Sequence, residues 1–230
     1  MREASPIRAG ATISDAFRTL SRAPFRTLLA LTVLIAVVAD SIGGPSASEE
    51  DPDVVFALLL IGVSLYVQIA ITLAAGRADP DPSADRWVKA AWRRRCFLRL
   101  VVANLVIVAA LAGGLALAVV GMFVVGAIIA VAQPAVVLER RGPIEAVVRS
   151  AQLTQGSRIP IGIVFAVLFI APSIALWGAS FTTIPRDMGA WWVIVPVLAE
   201  FLGFAATIAT ARMFVALGGT VAEAPTPNRP

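Results

Sequence analysis

Residues 136–158 read VVLERRGPIEAVVRSAQLTQGSR, a charged elbow set between two apolar runs. Gly142-Pro143 opens a helix there, with proline in the first turn, where its missing N–H leaves no bond unmade. Glu145 falls in the first turn, where the helix dipole favours an anion, and is spaced to pair with Arg149 four residues on. Ile144, Val147, Val148 and Ala151 recur at helical spacing and predict one apolar stripe. Gly156 is placed to end the helix. The runs on either side are too long for a soluble core, so the elbow reads as a short amphipathic helix on a membrane surface, between two spans.

The composition agrees. The 230 residues are 58% apolar and only 15% charged, against roughly 25% charged in soluble domains. The net charge of +4 is blocked along the chain, and the basic residues flank apolar runs instead of sharing one face, which argues against nucleic acid. A single cysteine, Cys96, excludes an intrachain disulfide and a cysteine-based metal site. There is no histidine, which removes the usual general base and the usual metal ligand. No phosphate-binding glycine loop, HExxH pattern or activated nucleophile stands out. No catalytic residue, metal or cofactor is therefore expected, and the chain reads as a non-enzyme. The first 24 residues are polar and basic, so no cleavable signal peptide is read there.

Taken in order, Thr12 and Asp15 have the spacing of a capping box, followed by an apolar stripe of Ile13, Phe17 and Leu20. Spans are expected at about 25–42 and 54–75, separated by the acidic loop GGPSASEEDPD. Residues 83–95 predict a second amphipathic segment, with Ala84, Trp87, Val88, Ala91 and Trp92 on one side and Arg86, Lys89 and Arg93 on the other. The plainer alternative is that this segment extends the third span. Cys96–Leu138 is apolar for 43 residues. A straight helix of that length would measure ~64 Å, about twice a bilayer core, so it must fold back. Gly121 is the expected turn and Gly113-Gly114 its competitor, giving spans at 98–120 and 122–138. The last two spans are expected at 159–181 and 190–215, with Trp177, Phe181, Trp191 and Trp192 as an aromatic belt. Residues 218–230 read as a disordered tail.

Of 19 basic residues, 18 fall on one side of these six spans and only Arg186 on the other. The positive-inside rule then puts both termini in the cytoplasm of a multi-pass plasma-membrane protein. Three stretches also begin alike: Ser14-Asp15-Ala16-Phe17-Arg18, Ala84-Asp85-Arg86-Trp87-Val88-Lys89 and Ile144-Glu145-Ala146-Val147-Val148-Arg149. Each precedes a pair of spans. The expected architecture is all-α: six transmembrane helices as three hairpins, each preceded by a short cytoplasmic amphipathic elbow helix. Charge patterning alone, without common descent, would produce the same similarity.

The elbow LERRGPIEAVVRSAQLTQGSR and the opening TISDAFRTLSRAPFRTLL resemble an uncharacterised six-span family, the membrane domain associated with glycerophosphodiester phosphodiesterases. Gln152 and Ser157-Arg158 replace aromatic residues common at those places in the family. The resemblance implies an all-helical membrane module of unassigned biochemical role, without the catalytic domain that gives the family its name.

Apart from Asp40 at the very end of the first span, Glu200 is the only acidic residue inside a span, ~15 Å from the outer edge and so near the midplane. Gln133 lies at a similar depth, ~18 Å from Gly121, and Gln133-Pro134 marks a lost backbone hydrogen bond. Gln68 and Asn104 are polar candidates nearer the cytoplasm. These four could line a ligand or proton path, or could only fix helix packing at ~0.6 kcal/mol each. Arg93, Arg94, Arg95, Arg140, Arg141 and Arg149 are candidates for anionic lipid headgroups, at about 1 kcal/mol each. Fixing the topology is their plainer role. The leading reading is a non-enzymatic scaffold or lipid-interacting module whose partners are membrane lipids and other membrane subunits. The alternative is a transporter or permease component with a polar midplane site around Glu200 and Gln133. Glu145-Ala146 with a later glycine faintly suggests an importer coupling loop, at the wrong spacing, and an intramembrane lipid enzyme is the weakest reading.

Overall fold

The computed structural model describes residues 7–43, 54–94, 96–116, 118–170 and 191–222, and all regular structure among them is helical. In chain order the helices are α1 (Ala9–Leu20), α2 (Phe25–Gly43), α3 (Val54–Ala75), α4 (Ala84–Arg94) and α5 (Phe97–Ala116). Then follow α6 (Ala118–Ile129), α7 (Ala132–Leu138), α8 (Pro143–Leu153), α9 (Arg158–Phe165) with a π-helical continuation over Ala166–Ile170, and α10 (Trp191–Ala216). Two stretches, Phe97–Gly114 and Gly121–Leu138, are long and apolar enough to cross a membrane. A third is reached if α8 and the α9–π run, bent by 120° from each other, are taken as one. Phe25–Ile35 and Gly62–Ala75 are shorter apolar stretches. Among the described residues, two or three helices are thus long and apolar enough to cross, where the sequence predicts six.

One packing pattern occurs three times. Each elbow helix lies on the helix that ends the preceding hairpin: α4 on α3, α8 on α7 and, closing the ring, α1 on α10. The helix after each elbow packs between helices of two neighbouring hairpins. Thus α2 lies against α3 and α10, α5 against α3 and the α6–α7 pair, and α9 with its continuation against α6 and α10. The closing helices α3, α7 and α10 meet at the centre. Their last turns are buried on every side, at Val67–Ala75 apart from Gln68, Val131–Leu138 apart from Gln133, and Phe204–Phe214 apart from Arg212. Ala70, Ala74, Ala135, Ala205 and Ala209 supply the small side chains that such close approach needs.

The elbows are built alike too. Each buries two positions four residues apart: Ala16 and Leu20, Trp87 and Ala91, Ala146 and Ser150. In α8 the apolar stripe does not face the bundle. Ile144 and Val148 are 73% and 53% exposed, while Ala146, Ser150 and Thr154 face the bundle. The small residues let α8 approach α5, α6 and α7 closely, which valine and isoleucine side chains would prevent. In α4, Trp87 and Ala91 are buried, whereas Val88 and Trp92 point out. Residues 84–94 form a helix of their own and do not extend α5.

Other expectations shift for local reasons. Thr12 is no cap, because α1 already begins at Ala9 and the Thr12 hydroxyl donates to the carbonyl of Arg8 at 3.1 Å. Asp15 pairs instead with Arg212 of α10 at 2.9 Å. Gly121 does not separate two helices, because α5 ends at Ala116 and α6 already begins at Ala118. The two glycine sites serve close packing: a β-carbon on Gly114 would stand 3.1 Å from the carbonyl oxygen of Gly121. The expected span 122–138 is interrupted between Ile129 and Ala132. Pro134 causes this, since its ring displaces the carbonyl four residues earlier, that of Ala130. Gly156 takes the left-handed conformation expected of it, φ 90°. Trp177, Phe181 and the side chains of Trp191 and Trp192 lie outside the described residues.

Candidate functional site

Three of the four polar residues singled out in the sequence meet. The Gln68 side-chain amide of α3 donates to the Gln133 carbonyl oxygen of α7 at 3.1 Å. The Gln133 amide in turn donates to the Asn104 carbonyl oxygen of α5 at 2.5 Å. A single relay of amides therefore ties three helices together at partly buried positions. Glu200 is not part of it. On α10 it lies on the same stripe as the buried Phe204, Thr207 and Ala211, and among the described residues no hydrogen bond or ion pair reaches its carboxylate. The neighbouring Phe201 stacks on Phe17 of α1, with ring centres 5.9 Å apart.

The elbow stretch that opens the sequence reading is accounted for residue by residue. The Ser150 hydroxyl donates to the carbonyl of Ile128 at 2.6 Å and accepts from the N–H of Val131 at 3.3 Å. It thereby satisfies backbone groups at the break that Pro134 imposes. Thr154, buried one turn later, donates to the carbonyl of Ser150. Glu145 curls back to accept the N–H of Gly142 at 3.3 Å and does not pair with Arg149.

Arg149 is taken by Glu139, a residue the sequence reading passed over. The Glu139 side chain is only 4% exposed. It accepts from Arg141 and Arg149 and, at 3.1 Å, from the N–H of Thr220. Burial pushes its pKa up, but these hydrogen bonds outweigh it and hold the carboxyl below its ordinary value. Within the stretch read as a tail, the Ala222 N–H donates to the carbonyl of Leu138 at 2.9 Å. Residues 223–230 lie outside the described residues. The signal for Glu139 was a lone acid inside a basic run.

The six arginines expected at lipid headgroups divide. Arg141 and Arg149 bind Glu139. Arg94, half-buried, donates to the carbonyls of Val137 at 3.0 Å and Ala222 at 2.7 Å. Burial and then the field of Arg140 lower its pKa. Arg93 and Arg140 have no carboxylate partner among the described residues, and Arg95 lies outside them. No group of three metal-binding side chains occurs among the described residues. Compared with known proteins, the chain matches no family model, no curated protein and no solved structure.

Proposed function

We propose that the chain is a non-enzymatic integral membrane module of six spans, with both termini in the cytoplasm, that serves as a lipid-contacting scaffold. The observation that carries this reading is the amide relay. Gln68, Gln133 and Asn104, the polar groups best placed to line a path, are bonded to one another and fix helix packing instead. Around that core, Leu105 and Val108 of α5, Ile159 of α9 and Leu34 of α2 are more than half exposed. Water would penalise such an apolar exterior, whereas lipid accommodates it. The resemblance of the elbow to the six-span family supports the same reading.

Single-cysteine labelling in a Cys96→Ser background tests the topology. Positions 46 and 188 should react with a membrane-impermeant reagent from outside, and position 155 only from the cytoplasmic side. Reaction of position 46 from the cytoplasmic side alone overturns the arrangement. The transporter reading rests on the unpaired Glu200. Reconstituted protein that moves protons or a cation, and loses this with Glu200→Gln while keeping its melting temperature, would replace the scaffold.

A further inference from the structure

Beside α4 lies a hollow of about 790 Å³ whose lining is dominated by guanidinium groups. Arg86 and Lys89 on its edge have their own acids, Asp81 and Asp85. Arg77, Arg93, Arg94 and Arg140 also line it, and none of the four has a carboxylate partner among the described residues. Arg94 is pinned by backbone carbonyls, and Arg77 lies over the ring of Trp87 at 5.3 Å. The Nε of Arg140 is buried without any hydrogen-bond partner. Asp79 is the remaining acid of the lining. Four cations held close together with so little compensation form a site for an anion of more than one charged or acceptor oxygen.

A second hollow adjoins it, and Arg93 lines both. This one is aromatic and apolar: Trp92, Tyr66 and Phe97 stack in sequence with centres 5.2 and 4.9 Å apart, and Leu98 completes the wall. Trp92 and Leu98 are each 70% exposed. Phosphate alone would use only the first hollow. An amphiphile with an anionic head would use both, with the head among the arginines and the chains along Tyr66 and Phe97.

We propose that these joined hollows bind an anionic phospholipid, its phosphate held by Arg77, Arg93 and Arg140. The proposal rests on the membrane reading above and deepens it. The purified full chain is titrated with dioctanoyl phosphatidylglycerol, dioctanoyl phosphatidylcholine, glycerol phosphate and inorganic phosphate, with melting temperature and direct binding as readouts. The anionic lipid should bind saturably, well ahead of the other three. Arg77→Ala with Arg93→Ala should weaken it roughly thirtyfold, as expected from two lost phosphate contacts. Arg18→Ala with Arg158→Ala, equal in charge, should change it less than twofold. Equal binding of inorganic phosphate overturns the lipid in favour of a soluble anion. Equal binding of phosphatidylcholine, or equal weakening by the control pair, overturns the site altogether. A measurement on the otherwise native protein guards against a misfolded variant: brominated phosphatidylglycerol should quench tryptophan emission more than brominated phosphatidylcholine, and Trp92→Phe should remove the difference. No difference in the native protein also overturns the proposal. Carbonate extraction separates the two failures, since a chain that leaves the membrane refutes the membrane reading, and a retained chain without lipid preference refutes only the groove.

Discussion

The ring of Phe123 on α6 fills the place of the missing side chain of Gly162 on α9. A β-carbon there would stand 2.5 Å from the ring, and Phe165 on α9 sits in the same way over Gly126 of α6. The two helices are thus locked by a reciprocal pair of aromatic-on-glycine contacts. Gly162→Ala should lower stability by about 1–3 kcal/mol through overpacking, read as a fall in melting temperature in detergent. Gly203→Ala, where nothing lies within 4 Å of the added carbon, should leave it unchanged. Equal effects would show that the α6–α9 contact is looser than described.

The amide relay makes a sharper test, because its middle member can be removed alone or with its partners. Gln133→Leu leaves the Gln68 amide and the Asn104 carbonyl unpaired, at about 1–3 kcal/mol. Replacing all three with leucine removes the orphaned groups and should recover much of the loss. A triple variant less stable than the single one would mean that packing volume, not hydrogen bonding, sets the energy.

Ser150→Ala deletes the hydroxyl that serves the Ile128 carbonyl and the Val131 N–H at once. Both are backbone groups at a helix break, so the expected cost is again about 1–3 kcal/mol. Ser157→Ala at the start of α9, where the side chain makes no capping bond, should be close to neutral. Hydrogen exchange at Val131 should rise in the first variant and not in the second.

Glu139 gives the fold a pH dependence of defined sign. A carboxylate whose pKa is depressed on folding stabilises the folded state above its ordinary value of 4.5. That contribution is lost as pH falls through the depressed value. The gap in melting temperature between the native protein and Glu139→Gln should therefore be full at pH 7 and close progressively below about pH 4.5. A gap of constant size from pH 7 to pH 3 would show that Glu139 contributes nothing as an anion.

The helices and elbows were legible because capping, proline placement and apolar periodicity are local signals. Pro143 at the first turn of α8 and the helix break before Pro134 follow from two residues each. Gln68, Asn104 and Gln133 stood out as polar groups in apolar runs, but their joining depends on three helices far apart in sequence. The stripe on α8 was legible, but the face that meets the bundle was not. Ile144 and Val148 mark a stripe that can face either the core or lipid. Beside lipid that stripe can face outward, and the small residues Ala146, Ser150 and Thr154 mark the contact instead. Glu139 escaped notice because a carboxylate next to two arginines reads as a solvated surface pair, and its third partner, Thr220, lies 81 residues on.

The ring closure between α1 and α10 also sets an order in time. α4 and α8 find the helix they lie on directly behind them as the chain is made. α1 has no such neighbour until α10 emerges, and the Asp15–Arg212 pair that joins them spans 197 residues. At about 5–20 residues per second of synthesis, this interval is roughly 10–40 s. During it the buried face of α1, with Ala16 and Leu20, lacks the helix it lies on. Of the three elbows α1 is the last to be seated, and a chain stopped before Arg212 carries two finished joints and an open third.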